Sequence, residues 1–458
     1  MNYEESVRSL LALGRELAAP RQPALSSAPG ALVQKFGLEN IRTLSAELGD
    51  PHLAVPCVHI AGTNGKGSTA AMVESILRPA GLRTGLYTSP HLERINERIR
   101  IDGEEISDAA FAAAWTRVHA AIESLMASGK LASHPTFFEC VTAIAFLAFA
   151  DSQIDFAVYE VGLGGRLDST NIVQPEVALL TPIDFDHENF LGHSIEEIAG
   201  EKAGIIKPRV WVVTAPQSPE AIGVIRRRAA ELNARLVEVD AVWQVQEVAS
   251  VGNGCYRAIA TSSLSSRAID IAPALAGKFQ IQNALTAATA AHLLAERGFP
   301  VDDIAIHQGI AEVRWPGRLE KLSDPPAIYL DGAHNPAAAR ELRKFWEENF
   351  AGRRIFLVYG AMRDKAVDEI AGVLFPTTQG VILTQPRQSR AISAPLLAEM
   401  TAGLAPSTMI VSDPEEALKR ALAMASSEDV IFATGSLFLV GDLRHYWKSR
   451  VAKASRTL

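Results

Sequence analysis

One stretch near residue 60 restricts the possible fold of this chain more than any other. A short apolar run at 58–61 leads into Gly62-Thr63-Asn64-Gly65-Lys66-Gly67-Ser68, and an apolar segment with helical spacing follows. A strand that turns through glycines into a helix presents backbone N–H groups to an anion at the helix N-terminus. The stretch therefore predicts a nucleotide-binding loop in an α/β fold, with Lys66 beside the outer phosphates and a Ser68 or Thr69 hydroxyl for Mg²⁺.

The spacing departs from the usual phosphate-loop pattern at two positions. That pattern has glycine where this chain has Ile60, and Ser or Thr directly after the lysine, where this chain has Gly67. The alternative is an ordinary glycine turn between a strand and a helix. Because strand, turn, lysine, hydroxyl and helix occur in order, nucleotide binding is the better interpretation.

Composition excludes several other classes of protein. A chain of 458 residues is too long for one core, so two domains are expected. Its net charge of −8 disfavours a general nucleic-acid binder, and it lacks the run of about 18 apolar residues typical of a membrane span. Three scattered cysteines (Cys57, Cys140 and Cys255) form no CxxC pair, which fits a reducing, cytoplasmic location, and Cys57 and Cys140 are expected to be buried.

Strands and helices alternate along most of the chain. This predicts a mainly parallel sheet with helices on both faces. The pattern breaks at Trp315-Pro316-Gly317-Arg318 and then restarts. We therefore predict an ATP-binding central domain over 1–314, with a Pro- and Ser-rich break at 20–29, a hinge at 315–318, and a smaller Rossmann-like α/β domain over 319–458.

Polar residues at strand ends are candidate ligands, because α/β sheets bind ligands at the carboxyl ends of their strands. Glu160 ends a buried strand and is a hard oxygen ligand suited to Mg²⁺, with a capping or ion-paired carboxylate as the alternative. Ser89 and His187 follow two other strands. A Thr-Ser-Pro turn and a lone histidine are more often structural, so the residues alone leave both roles open.

Four further segments are ambiguous as patterns. Residues 136–139 are typical of a helix N-terminus with buried aromatic rings, and Lys202 of a solvated helical lysine. Arg318 is either a hinge residue or a phosphate ligand. The turn at 331–336 is typical of a helix start with proline in its first turn.

Taken together, the motifs resemble the Mur ligase superfamily. Within it the chain looks like the folylpolyglutamate synthase family, specifically its bacterial members that are also dihydrofolate synthases. The matching segments recur in order over nearly the whole chain, at 62–68, 88–92, 160–168, 186–187, 201–204, 283–284, 316–318 and 330–335.

The resemblance implies a role for each matched residue, with ATP and two Mg²⁺ ions as cofactors. It makes Lys66, His187 and Lys202 catalytic, with Lys202 carbamylated. Metal ligands are then Ser68, Ser89, Glu160, His187 and Lys202. The nucleotide is held by Asn64, Gly65, Lys66, Gly67, Ser68, Asn283, Arg318, Asp331 and His334. The folate pocket is formed by Thr136, Phe137, Phe138, Glu139, Arg166, Leu167 and Asp168.

The implied reaction is ATP-dependent amide-bond formation through an acyl phosphate. L-Glutamate is joined to dihydropteroate, or to the terminal glutamate of a tetrahydrofolate, by a monomer without nucleic-acid or membrane partners. One alternative is a ligase that adds amino acids to a UDP-sugar peptide. The approximately 57 residues before the phosphate-loop strand are too few for the UDP-binding domain of such enzymes. The other is a non-catalytic nucleotide switch, which the complete set of magnesium candidates disfavours.

Overall fold

The computed structural model of the protein describes residues 1–14, 37–265 and 267–455, so the break expected at 20–29 lies outside the described residues. The strands are β1 (Cys57–Ala61), β2 (Thr84–Tyr87), β3 (Ile99–Ile101), β4 (Glu104–Glu105), β5 (Phe156–Glu160), β6 (Val177–Leu180), β7 (Trp211–Thr214), β8 (Arg235–Glu238), β9 (Trp243–Gly252), β10 (Cys255–Ser262), β11 (Ile269–Ile271), β12 (Glu320–Ser323), β13 (Ala327–Leu330), β14 (Ile355–Tyr359), β15 (Gly380–Leu383), β16 (Thr408–Ile410) and β17 (Val430–Thr434).

The helices are α1 (Tyr3–Ala12), α2 (Glu39–Glu47), α3 (Lys66–Leu77), α4 (Asp108–Ala127), α5 (Phe137–Asp151), α6 (Glu188–Leu191), α7 (Ile195–Ala203), α8 (Pro219–Glu231), α9 (Val239–Val242), α10 (Phe279–Glu296), α11 (Asp303–Glu312), α12 (Pro336–Asn349), α13 (Val367–Leu374), α14 (Ala394–Met400), α15 (Pro414–Met424) and α16 (Leu437–Ser455).

The first sheet has eight strands in the order β4-β3-β2-β5-β1-β6-β7-β8. The six strands from β2 to β8 in this order pair in parallel, whereas β3 and β4 form an antiparallel edge hairpin that turns at Asp102-Gly103. Ile60 of β1 lies opposite Glu160 of β5 and Leu179 of β6. This register brings the phosphate loop, Glu160 and the segment after β6 to one edge of the sheet.

Helix α3, which follows the phosphate loop, is buried on all sides. Every residue from Gly67 to Leu77 is buried, and the helix packs against β5, α10 and α11. A helix that is buried around its whole circumference is part of a core. The first turn of α3 is therefore held rigidly at the sheet edge.

Two smaller sheets follow. Strands β9, β10 and β11 form an antiparallel sheet, and the Tyr256 hydroxyl of β10 donates to Glu348 of α12 at 2.9 Å. The last sheet has the order β12-β13-β17-β14-β15-β16 and is parallel except for β12. The predicted fold class, a mainly parallel sheet domain followed by a smaller α/β domain, is confirmed. The exact domain limits at 314 and 319 stay predictions.

Cys57 and Cys140 are buried as expected, at 1% and 0% exposure. Among the helices of the described ranges, none combines the length and apolar character needed to cross a membrane.

Candidate active site

A cavity of about 540 Å³ opens at the carboxyl edge of the first sheet and reaches the second α/β unit. It brings together predicted site residues that lie up to 270 positions apart, from Asn64 to His334. The predicted site residues that line it are Gly65, Lys66, Gly67, Ser68, Asn64, Ser89, Glu160, His187, Lys202, Asn283, Arg318, Asp331 and His334.

The phosphate loop owes its shape to its glycines. Gly65 has φ +85°, and a Cβ atom there would lie 2.6 Å from Asn283 Oδ1. The Lys66 ammonium donates to the carbonyl oxygens of Gly62 and Thr63 at 3.0 and 3.1 Å, and desolvation lowers its pKa. The loop thus presents the N-terminus of α3 and a preoriented cation to an anion.

Gly67, one of the two departures from the usual pattern, has a steric cause. A Cβ atom on Gly67 would lie 2.9 Å from Nε1 of Trp315, so the indole ring packs directly on the loop. A serine or threonine directly after Lys66 would displace this ring. The hydroxyl of the motif is supplied one position later by Ser68, which is buried and lines the cavity.

Glu160 lies at the end of β5 with a carboxylate that is only 4% exposed. Its Oε2 atom accepts from the Ser89 backbone N–H at 3.2 Å, which joins two predicted metal ligands. Burial raises the pKa of Glu160 to about 7, and the nearby Lys66 charge opposes that rise. A buried carboxylate with so little compensation favours a bound cation.

His187 stands in a group of charged residues that joins the two α/β units. It adopts a left-handed backbone (φ 52°), and its Nε2 atom lies 3.2 Å from Lys365 Nζ. The same ammonium donates to Asp186 Oδ1 at 2.6 Å. Burial and the Lys365 charge lower the pKa of His187 to about 3, so the imidazole is neutral, as a metal ligand must be.

Lys365 and Asp186 are site residues whose pairing the sequence did not indicate. Lys365 lies in a polar loop after β14 and its side chain is only 7% exposed. A strand-end position was the one available signal, since Lys365 follows β14 as His187 follows β6. The Lys365 ammonium lies against Asp186 and His187, so this part of the site favours a positive charge.

Lys202 is buried in α7 at 4% exposure, which excludes the solvated lysine that its pattern allowed. Its Nζ atom donates to the Gly62 carbonyl at 2.8 Å, so it contacts the phosphate loop directly. Burial, together with the Lys66 charge, lowers the pKa of Lys202 to about 7. A substantial neutral fraction therefore exists at neutral pH.

The second α/β unit contributes through the linker and the turn after β13. Asp331 accepts from the N–H groups of Leu319 and Ala333, both at 2.9 Å, so its carboxylate shapes the linker. Asn335 and Asn64 exchange side-chain hydrogen bonds across the two units, at 2.9 and 3.4 Å. The phosphate loop is thereby tied directly to the turn that starts α12.

The predicted folate residues lie beside the cavity and do not line it. Thr136 and Glu139 cap α5: Glu139 N–H donates to Thr136 Oγ1, and Thr136 N–H donates to Glu139 Oε2. The Phe138 ring packs where a Cβ of Gly162 would sit, at 2.4 Å from that position. Since Gly162 lines the cavity, Phe138 forms the layer directly behind its wall.

The loop after β5 is held by the Asp168 carboxylate. Its Oδ2 atom accepts from the N–H groups of Gly162 and Leu163 at 3.0 and 2.9 Å, and Oδ1 accepts from Thr170 Oγ1 at 2.5 Å. Thr170 in turn bonds His59 Nε2 of β1 at 2.8 Å. In this arrangement Asp168 shapes the cavity wall, which adds to the substrate contact predicted for it.

Arg166 and Leu167 lie on the outer side of the same loop. The Arg166 guanidinium donates twice to Glu201 Oε1, at 3.0 and 2.8 Å, and stays more than half exposed.

The residues present fit a divalent cation bound with few protein ligands. Within the described part of the chain, no three acidic, histidine or cysteine side chains converge into a metal-binding cluster. Mg²⁺ commonly takes one or two protein groups and keeps its waters. Buried Glu160 and neutral His187, whose buried Nδ1 makes no hydrogen bond to the described residues, supply such a set.

Comparison with known proteins shows which protein family has this fold and site. Residues 60–291 match the Mur ligase middle domain, and residues 317–437 match the Mur ligase glutamate ligase domain. The dihydrofolate synthase/folylpolyglutamate synthase of Bacillus subtilis is 36% identical over 415 residues, covering 90% of this chain and 94% of the relative.

Solved structures of similar proteins match the fold of this chain over nearly its full length. Escherichia coli FolC in complex with DHPP and ADP has a TM-score of 0.83 at 29% identity, covering 98% of both chains. A Yersinia pestis bifunctional folylpolyglutamate synthase/dihydrofolate synthase complexed with AMPPNP and Mn ion has a TM-score of 0.79 at 31% identity, covering 96% and 97%.

The fold and the phosphate-loop cavity between two α/β units define an ATP-dependent ligase of the Mur ligase superfamily. Within that superfamily, the chain belongs to the folylpolyglutamate synthase/dihydrofolate synthase family. The class and the family inferred from the motifs are confirmed.

Proposed function

We propose that this enzyme joins L-glutamate to the carboxylate of dihydropteroate, and to the terminal glutamate of a reduced folate, at the expense of ATP. The observation that carries the proposal is the convergence of Lys66, Glu160, His187 and Lys202 with Arg318 of the linker in one cavity. Phosphoryl transfer needs concentrated positive charge, and an acidic chain must assemble it locally.

The first step forms an acyl phosphate. A carboxylate oxygen of the folate substrate attacks the γ-phosphorus of ATP, the bond to the bridging oxygen breaks, and ADP leaves with that electron pair. The N–H groups at the start of α3 and the Lys66 ammonium hold the phosphates in line for this attack. Because Gly62 and Thr63 carbonyls already orient Lys66, little reorganisation is required.

The second step forms the amide. The amine of L-glutamate attacks the acyl carbon, inorganic phosphate leaves, and the nitrogen loses a proton. Acyl phosphates hydrolyse in water, so closure of the two units over the cavity protects the intermediate. The Asn64–Asn335 and Asp186–Lys365 contacts hold the units in such a closed arrangement.

A bound Mg²⁺ would supply charge stabilisation for the transferring phosphoryl group, held by Glu160, His187 and the Ser89 and Ser68 hydroxyls. We also propose that Lys202 is carbamylated and holds a second ion. Its neutral amine adds to CO₂ and loses a proton, giving a buried carbamate anion. The lowered pKa supports this, since only the unprotonated amine is a nucleophile. The monomeric state and the cytoplasmic location stay predictions.

An ADP-release assay tests the function. Dihydropteroate and tetrahydrofolate are supplied separately, each with ATP, Mg²⁺ and L-glutamate, and each component is omitted in turn. With either folate, ADP release should require the folate, ATP, Mg²⁺ and L-glutamate together. Turnover with a UDP-muramoyl substrate and none with either folate would overturn the proposal.

A lysine pair provides the control for that assay. Lys66→Met should lose at least 100-fold in kcat, in the range of a lost transition-state charge contact. Lys207→Met removes another lysine whose Nζ donates to a backbone carbonyl, that of Asn171 at 2.8 Å, but Lys207 does not line the cavity. This variant should keep its activity.

A further inference from the structure

We propose that Trp315 is a positioning residue for Arg318. By packing on the phosphate loop, its indole ring fixes where the Arg318 guanidinium lies relative to the nucleotide phosphates. The proposal rests on the function proposed above, because it concerns the same ATP-consuming reaction.

The indole ring of Trp315 packs against the core of the first α/β unit. One contact is Gly67, whose missing Cβ leaves room for Nε1, Cε2 and Cζ2 of the ring, all within 3.3 Å of the Cβ position. A further contact is the Arg100 guanidinium of β3, which lies 5.3 Å from the ring centroid. Arg100 Nε is buried and hydrogen-bonds to none of the described residues, so the ring is its neighbour in place of an acceptor.

The residues directly after Pro316 form hydrogen bonds with the second unit. The Gly317 carbonyl accepts from Gly332 N–H at 3.0 Å, and Leu319 N–H donates to Asp331 at 2.9 Å. Arg318 lies on Gly332, because a Cβ there would be 2.4 Å from Arg318 Nη1. The side chain before Pro316 thus packs on the phosphate loop, and the backbone after Pro316 is hydrogen-bonded to the turn that carries Asp331.

Very few residues connect the Trp315 contact on the phosphate loop to the residues bound to the second unit. Only Pro316 and Gly317 separate Trp315 from Arg318, and extended chain spans at most about 3.5 Å per residue. Proline has a fixed φ, which removes one of the two soft torsions at Pro316. Arg318 therefore cannot move far from the phosphate loop unless Trp315 leaves Gly67.

Two observations argue against a purely structural role for the ring. Trp315 is only half-buried, whereas Trp115 and Trp346 of the cores are at most 2% exposed. Its contact on Gly67 also lies within the nucleotide loop itself, next to Lys66. A residue used only for packing would not need a glycine at the position where the usual motif has a hydroxyl.

A double-mutant cycle tests the proposal, read as kcat/KM for ATP in the ADP-release assay. Trp315→Ala and Arg318→Ala should each lose about 100-fold, the scale of a displaced catalytic contact. The double variant should lose no more than about 3-fold beyond Arg318→Ala, since residues that act as one unit are not additive. Losses that multiply, or a Trp315→Ala variant with wild-type kcat/KM, would overturn the role.

Trp315→Phe keeps the cycle usable if the alanine variant does not fold. A phenyl ring retains a flat face toward Arg100 but withdraws the atoms nearest Gly67, so a smaller loss is expected, and it should again vanish in the Arg318→Ala background. KM for the folate should stay unchanged in each of these variants. A loss that persists in that background contradicts the proposal.

Trp211→Ala is the matched control, because this tryptophan also stacks on an arginine, Arg235 at 4.4 Å, but lies away from the cavity. It should leave kcat/KM for ATP unchanged.

Failure of the proposed function can be distinguished from failure of the role proposed for Trp315. If the wild type turns over ATP with some other acceptor, the cycle is run with that acceptor; if it turns over none, the same cycle is measured as ADP affinity by calorimetry.

Discussion

Glu160→Gln should change how the metal-free enzyme responds to pH. The Glu160 pKa is raised from its ordinary value of 4.5 to about 7 because the carboxylate is buried. Between these two values the folded state binds a proton that the unfolded state releases, so stability falls as pH rises through this window. At about 1.4 kcal/mol per pKa unit, the free energy of unfolding of the wild type should fall by about 3 kcal/mol.

The size of this loss of stability follows from the cost of burying the Glu160 charge, which its neighbours offset only in part. Glu160 accepts one backbone hydrogen bond, from Ser89, and Lys66 offsets part of the desolvation. Glutamine has no charge to desolvate, so the variant lacks this penalty above pH 7. With EDTA at pH 8, Glu160→Gln should therefore be more stable than the wild type by up to about 3 kcal/mol, and at pH 5 the two should converge.

Urea unfolding at pH 5 and pH 8, with EDTA or with Mg²⁺, measures both effects. Mg²⁺ at pH 8 should stabilise the wild type more than it stabilises Glu160→Gln. The control is Glu74→Gln, since Glu74 is also buried but pairs with Arg78 at 3.0 Å and lies outside the cavity. That variant should keep the Mg²⁺ response. An equal pH dependence in wild type and Glu160→Gln would refute the reasoning.

Three further outcomes are expected. Intact mass spectrometry under non-acidic conditions should show the mass of one bound CO₂ that Lys202→Ala lacks and Lys207→Ala retains, and Lys202→Ala should lose activity that bicarbonate does not restore; wild-type activity in Lys202→Ala would contradict its role. Phe138→Ala should reduce kcat/KM for dihydropteroate more than for tetrahydrofolate, because the ring backs the cavity wall at Gly162; equal losses would count against a pteroate pocket. Lys365→Met should remove the buried pair with Asp186 and lower kcat by 10-fold or more. It should also raise the rate of acyl-phosphate hydrolysis, measured as ADP release without amide formation. If each ADP released by this variant is still matched by one amide formed, the closure role is contradicted.

The elements that carry the phosphate site follow from local sequence. The apolar run of β1, the glycines after it and the apolar α3 specify strand, turn and helix without reference to the rest of the chain. Glu160 was predictable for the same reason, because a carboxylate that ends a buried strand has few other places to lie. By contrast, β12 has the polar sequence Glu-Lys-Leu-Ser and forms through its pairing with β13.

Other parts of the site depend on distant partners. Lys202 is buried because it meets Gly62, 140 residues away, and Lys365 meets Asp186 across 179 residues. Neither helical period nor local composition encodes such a meeting. The capping of Thr136 by Glu139 was visible as a sequence pattern, and it leaves the folate role of these residues a prediction.

Strand β1 carries more than the phosphate loop at its end. His59, at its centre, supports Thr170 and through it the Asp168 carboxylate that shapes the opposite wall. β1 is fully buried and paired on both sides, so its amide hydrogens should exchange only on global unfolding. Both walls of the cavity are thus attached to one of the slowest-exchanging strands. On heating, nucleotide affinity should persist until the first sheet melts, and the two should be lost in a single transition.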